Sequence, residues 1–336
     1  MKIRRFIVFL CLVFFLVFLI VETDNAVTAS TNALLLCAKT IIPTLFPFFV
    51  ISGLMLNLGL VEVLGKIFSP VSRFLFKTSG KGAVVFIIGI LCGYPTGARV
   101  VAKMCKNNEL TQEEGERLLA FCNNSGPLFV IGAVGSMMLK NHSIGVFLYI
   151  VHVISALLTG ILLSAFAKKD KAKLQQTFAA KTIGEAVLES VESAVSSTLN
   201  VCGYVVFFGC LCAAIGNPFL VSILEVTTGA KALINLGLNS ETTLILLSGI
   251  IGFGGICVAF QVQSAVSGTN LSVKTYIIGK IIQAQISMAI TFLWLKLNKA
   301  ALVFAPQNFV TQEHIYSVVI FLLGVVLMLS RLTKKS

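Results

Sequence analysis

The chain has 336 residues, 57% of them hydrophobic and only 12% charged, with a formal net charge of +12. Soluble domains carry about 25% charged residues, so this composition cannot cover a water-facing surface, and it excludes an ordinary soluble enzyme; a bilayer is the solvent that suits it. The excess of positive charge does not point to nucleic acid, because the basic residues fall in short clusters between apolar segments, as they do in cytoplasmic loops.

The chain opens with Lys2, Arg4 and Arg5 ahead of an apolar run, 6–21. Ala26-Val27-Thr28-Ala29 could serve as a signal-peptidase site, but the run is long for a signal peptide and reads better as an uncleaved membrane helix. Further apolar segments lie at 40–60, 82–102, 118–138, 144–166, 199–222, 243–266, 275–297 and 314–330. A helix needs about 20 such residues to cross a bilayer. Basic clusters at Lys66, Arg73, Lys77 and Lys81, at Lys168, Lys169, Lys171, Lys173 and Lys181, and at Arg331, Lys334 and Lys335 mark one side of the membrane. The charges alternate correctly only if the region 82–138 crosses once and part of it is re-entrant. The expected fold is therefore an all-α polytopic membrane protein of about eight transmembrane helices plus re-entrant or broken helices.

The interruptions carry the polar chemistry. In Gly93-Tyr94-Pro95-Thr96-Gly97-Ala98-Arg99, Pro95 removes a backbone donor and breaks the helix, and the glycines let backbone approach a ligand. A helix restarting there would aim free N–H groups at an anion, with the Arg99 guanidinium close by. Asn123-Asn124-Ser125 before Gly126-Pro127 offers more donors and acceptors than one helix cap requires. Gln261 and Gln263, with Ser264, follow the glycine run 252–255, and Lys280, Gln283 and Gln285 dot the segment 275–297. Gln261 and Gln263 read equally well as interhelical hydrogen-bonding residues, and Lys280 reads slightly better as a lysine reaching for the interface than as a second cation for the solute. Polar residues inside spans are costly and so are candidates by default; the candidate binding set is Gly93, Tyr94, Pro95, Thr96, Gly97, Arg99, Asn123, Asn124, Ser125, Gln261, Gln263 and Lys280.

Glu185, Glu189 and Glu192 recur at helical spacing among apolar residues, so 182–200 is expected to lie on the membrane surface as an amphipathic helix. Thr111-Gln112-Glu113-Glu114 reads as a capping box. The stretches 31–138 and 185–297 share a layout. Gly89 to Gly97 pairs with Gly249 to Gly255, Glu109-Leu110-Thr111 pairs with Asn270-Leu271-Ser272, and a second interrupted segment is expected after each. With one stretch starting outside and the other inside, they form inverted repeats, the arrangement that places a transporter's site at mid-membrane. Nine cysteines without a CxxC pair, three scattered histidines, and no HExxH, Walker A or dinucleotide motif leave no expected catalytic residue, metal or cofactor. The expected divisions are 1–30 (anchor or signal peptide), 31–166 (first repeat with its connecting helix), 167–200 (basic loop and surface helix), 201–300 (second repeat) and 301–336 (last helix and basic tail).

Gly93-Tyr94-Pro95-Thr96-Gly97-Ala98, followed by Glu116-Arg117-Leu118-Leu119-Ala120-Phe121-Cys122-Asn123-Asn124-Ser125-Gly126-Pro127-Leu128-Phe129, resembles the YlbJ-type sporulation integral membrane proteins, which contain nucleoside-recognition (Gate) domains. The resemblance spans roughly 31–300. It implies two Gate-like halves, a distant relation to concentrative nucleoside transporters and a place in endospore formation. The implied substrate is the anion dipicolinate, with nucleosides or another small polar metabolite as the alternative. It implies a location in the cell membrane or the membrane around the forespore, and leaves a homo-oligomer or other sporulation membrane proteins open as partners. A scaffold that transports nothing is the competing class.

Overall fold

A computed structural model gives the structure of residues 2–165 and 181–297, which are helical with no strand among them. The expected last span, 314–330, and the basic clusters 168–173 and 331–335 lie outside the described residues.

Helix α1 (Lys2–Val21) leads into α2 (Thr23–Leu36), a π-helical turn (Cys37–Ile41) and α3 (Ile42–Asn57). Together α2 and α3 make one apolar path, Thr23–Asn57. Pro43 supplies no N–H to the turn before it, and a wider π turn takes up the missing bond. Helix α4 (Leu60–Phe76) follows Gly59, whose φ of 75° only glycine adopts freely, and meets α5 (Gly80–Cys92) at 89°.

Helices α5 and α6 (Thr96–Lys106) form a hairpin. Lys81, at the start of α5, reaches Glu109, just past the end of α6, with Nζ–Oε2 2.6 Å. Two collinear helices of this length would hold those groups some 40 Å apart at about 1.5 Å per residue. Each arm reaches only part of the way through a bilayer core of about 30 Å, so Gly93-Tyr94-Pro95 sits at a tip inside the membrane. Helix α7 (Gln112–Cys122) starts beside the base of the hairpin, where Glu114 accepts a bond from Ser79 N at 2.6 Å. Thr111 Oγ1 caps α7 by accepting Glu114 N at 3.2 Å. After a break at Asn123–Pro127 the chain continues as a π-helical segment, Leu128–Met138, and returns as α8 (His142–Ala165). Ser136 Oγ donates to Ile131 O five residues back, as the wider winding allows.

The second half repeats this plan from the opposite side. Helix α9 (Ile183–Ile215) runs antiparallel to α3 and α2: Ser190 meets Asn57 and Gly53, and Cys210 meets Ala26 and Ser30. Helices α10 (Pro218–Leu224) and α11 (Val226–Ile234) form a second hairpin, with Ser222 Oγ 3.3 Å from Gly229 O and Glu225 at its tip. Helix α12 (Ser240–Phe253), a break at Gly254-Gly255, and α13 (Ile256–Ala265) make a broken span, and α14 (Lys274–Leu297) closes the half.

Among the described residues, five segments are long and apolar enough to cross a membrane: Thr23–Asn57, His142–Ala165, Ile183–Ile215, Ser240–Ala265 and Lys274–Leu297. Segment 118–138 is broken at Asn123–Pro127, and 82–102 turns back on itself, as the loop charges required. Three expectations change. The stretch 182–200 is no separate surface helix, because it is the first half of α9, which also runs through the expected boundary at 200/201. Its apolar side chains face outward (Ile183 is 74% exposed) while Ala186, Ser190 and Ala194 are buried, the small-residue face by which membrane helices pack. The segment 199–222 ends its span at Ile215, where Gly216 turns the chain with φ 66°. Lastly, α14 is continuous, so no second interruption follows α13; the hairpin of α5 and α6 corresponds to that of α10 and α11, and the break 123–127 to the break at Gly254-Gly255. Glycine runs look alike wherever backbones pack closely, whereas the second hairpin turns on Asn217-Pro218 and Glu225, which such a comparison overlooks.

Candidate functional site

Each hairpin tip abuts a broken span. A Cβ on Gly93 would lie 3.1 Å from Gly126 N, and one on Gly255 would lie 3.1 Å from Leu224 O. Both tips and the first break line a cavity of about 110 Å³, and α13, which follows the second break, closes one side of it. Tyr94 and Gly93 come from the first tip, Ser125, Gly126 and Pro127 from the first break, Glu225 and Thr227 from the second tip, and Gln261 from α13. Thr40 and Thr44 contribute from the π turn and α3, and Val201 and Val205 from the middle of α9.

Tyr94 joins the halves. Ser125 Oγ and Tyr94 OH are 2.5 Å apart, and the same OH donates to Ile251 O at 3.3 Å, just before the second break. Glu225 is buried, its carboxylate capping α11 by accepting Thr227 N at 2.9 Å and Thr228 N at 2.6 Å. Gln261 is buried on the cavity wall with its amide 3.5 Å from Cys257 Sγ.

Behind the tip lies a buried polar network. Asn124 Oδ1 accepts Lys280 Nζ at 3.0 Å and Gln283 Nε2 at 3.1 Å, and Asn124 Nδ2 donates to Phe121 O at 2.6 Å. Gln283 Oε1 accepts Lys280 Nζ at 2.8 Å. Ser125 N donates to His152 Nε2 at 3.1 Å. Asn123 Oδ1 accepts Ala98 N at 3.4 Å, and Thr96 and Gly97 pack beneath the tip, Gly97 against Cys122 O. Lys280 is 1% exposed, so the expectation that it reaches for the interface is wrong: α7, α8 and the tip surround it.

A second, polar space of about 230 Å³ shares Val201 and Gln261 with the cavity and opens toward Lys106. Arg99 is found here. It lies in the first turn of α6, but its Nη2 donates to Ser193 Oγ at 2.6 Å and Ser193 O at 3.2 Å on α9, and its guanidinium stacks 4.8 Å from the Phe49 ring. Arg99 thus lines an approach to the cavity and not the cavity itself. Gln263 is exposed on α13 and joins neither space.

Sequence reading passed over His152 and Glu225. A signal for the first existed: His152, Ser155 and Thr159 on α8, and Gln283, Ser287 and Thr291 on α14, recur at helical spacing, and Ser287 Oγ lies 2.7 Å from Ser155 Oγ. Glu225 sits between two helices too short to show periodicity, and nothing in the sequence marks it.

Residues 38–168 match the Gate family, described as nucleoside recognition. Over 322 residues the chain is 26% identical to the sporulation integral membrane protein YlbJ of Bacillus subtilis (strain 168), covering 81% of this chain and 78% of that protein. No solved structure matches the chain.

Proposed function

We propose, from the Gate domain at residues 38–168, that this multi-pass membrane protein carries a small polar solute across the membrane of a spore-forming cell. The observation that carries the reading is the meeting of two hairpin tips and a helix break at one cavity between the apolar spans. Non-helical backbone is tolerated at that depth where it lines a wet space, and a site at the interface of inverted halves is reachable from either side. A scaffold has no need of such a space.

A small carboxylate anion, dipicolinate first, is the proposed solute. Arg99 and Lys106 line the approach beside Ser197 and Asn200, and a guanidinium binds carboxylate through two parallel hydrogen bonds. A specific observation favours a second solute class. Glu225 is the charged group on the central cavity wall, and a carboxylate accepts hydrogen bonds from hydroxyls, as a nucleoside's sugar would supply.

The test is the melting temperature of the purified protein against dipicolinate, phthalate and nucleosides, since a ligand that binds only the folded state raises it with concentration. A dipicolinate shift that shrinks in Arg99→Gln supports the anion. A shift with nucleosides alone, lost in Glu225→Gln, moves the substrate to the second class. Folded protein that responds to none of them sinks the transporter reading in favour of a scaffold.

A further inference from the structure

We infer that Lys280 is a proton-binding site linked to occupancy of the central cavity, so that the anion and a proton are taken up together. The linkage rests on the transport reading; the proton site does not.

Lys280 is 1% exposed, and among the described residues no carboxylate lies within salt-bridge distance of it. Its Nζ donates to two amide oxygens, Asn124 Oδ1 and Gln283 Oε1. A neutral amine has two N–H groups and an ammonium three. The site therefore gives both N–H groups of the neutral form an acceptor, and it receives a third N–H only toward the Tyr94 and Tyr276 rings, whose centroids lie 6.0 and 5.9 Å away. A charge buried without a counter-ion is expensive, whereas a site that holds both forms of the amine in one set of hydrogen bonds allows it to gain and lose a proton without rebuilding.

The neighbours leave Lys280 as the group that changes charge. From α8, His152 accepts Ser125 N on Nε2, which fixes that nitrogen as unprotonated. From α7 comes Cys122, from the first tip Tyr94, and from α14 itself Tyr276, none of which brings a carboxylate or a second cation. Helix α12 packs on α14 through Gly249 and Gly252, and its Glu241 is exposed at its far end.

The link to the cavity is one residue long. Asn124 holds Lys280, and the next residue, Ser125, bonds Tyr94; both Ser125 and Tyr94 face the cavity. An anion entering there favours the ammonium. The amine then takes one proton from solvent, and the incoming negative charge is partly offset.

Two measurements test this. In the first, melting temperature is followed between about pH 6 and pH 9 for wild type and Lys280→Met without any ligand. The expected result is curves that diverge by a one-proton slope; parallel curves overturn the proton site. Where Lys280→Met does not accumulate, Lys280→Gln, which keeps polar hydrogens for Asn124 and Gln283, takes its place in the same comparison. In the second, dipicolinate binding is measured calorimetrically in buffers of different ionisation enthalpy. Uptake of a proton in wild type and none in the variant supports the linkage, whereas binding with no proton exchange overturns it. Diverging pH curves with no dipicolinate binding leave the proton site standing and count against the transport reading, so the two failures are distinct.

Discussion

Gly89 marks how closely the first hairpin approaches α7: a Cβ there would lie 1.6 Å from Cys122 O. The obstacle is backbone, which cannot swing aside. Gly89→Ala is expected to cost about 3 kcal/mol, the upper end of overpacking penalties, and to be read as a large drop in melting temperature. Gly184→Ala, with nothing within 4 Å, should leave it unchanged. Tyr94 is a gentler case. Tyr94→Phe removes the hydroxyl shared with Ser125 and Ile251, and is expected to cost about 1 kcal/mol in stability. It should also weaken the ligand-induced shift, since the tip is no longer tied to both breaks. At this scale the sequence was informative where a polar residue stood next to a helix breaker: Tyr94, Asn124 and Ser125 were all legible, and all reach the cavity or the network behind it. It misled over Lys280 and did not show that Arg99 lies in the approach, because position along a helix does not say which neighbour a long side chain meets. The cation read as touching solute lies in the approach, and the one read as reaching outward is enclosed.

The first hairpin is held at its base by buried charge. Lys81 bridges Glu109 at 2.6 Å and Glu62 at 3.2 Å, with the Lys81 and Glu109 side chains each under 10% exposed. This closes the ends of α5 and α6 and pins α4 to them. Removing one member of such a cluster strands buried charge, so Lys81→Ala should destabilise by about 3 kcal/mol, measured as a fall in melting temperature. On the other side, the short α10 and α11 depend on end caps: Asn217 Oδ1 accepts Phe219 N and Leu220 N, both at 3.1 Å, and Glu225 caps α11. Loss of a cap costs about 1 kcal/mol, and Asn217→Ala should show that loss in melting temperature while the melting temperature still responds to a ligand. The first hairpin was readable from Pro95 and from the charge imbalance that one extra crossing would create. The second was not, since its arms are too short to display a period and its turn carries a glutamate where a glycine would have announced it.

Taken whole, the described residues form two hairpins that enter from opposite ends of the helix bundle, each laid against a broken span. Exposed Lys106 lies at the base of the first hairpin and exposed Lys231 on the outward arm of the second. Lys106→Cys and Lys231→Cys, placed in a background whose native cysteines are changed to serine, should be labelled by a membrane-impermeant thiol reagent from opposite faces; labelling of both from one face would refute the inverted arrangement. The helix breaks were visible in the sequence, because breaks inside apolar segments are rare enough to notice. Which of them turn the chain back was not, because glycine runs signal close packing without saying whether the chain turns back or goes on.

The depth of the cavity has an electrical consequence. Each hairpin arm covers only part of the bilayer, so a solute at the tips has crossed about half of the membrane's thickness, and about half of any voltage across it. For a singly charged anion that is about 1 kcal/mol for every 100 mV, enough to change loading roughly sixfold. A neutral nucleoside would feel nothing, and an anion that arrives with a proton would feel less than its formal charge. On the proposed transport reading, uptake into vesicles held at opposite potentials therefore reports the net charge moved with the solute.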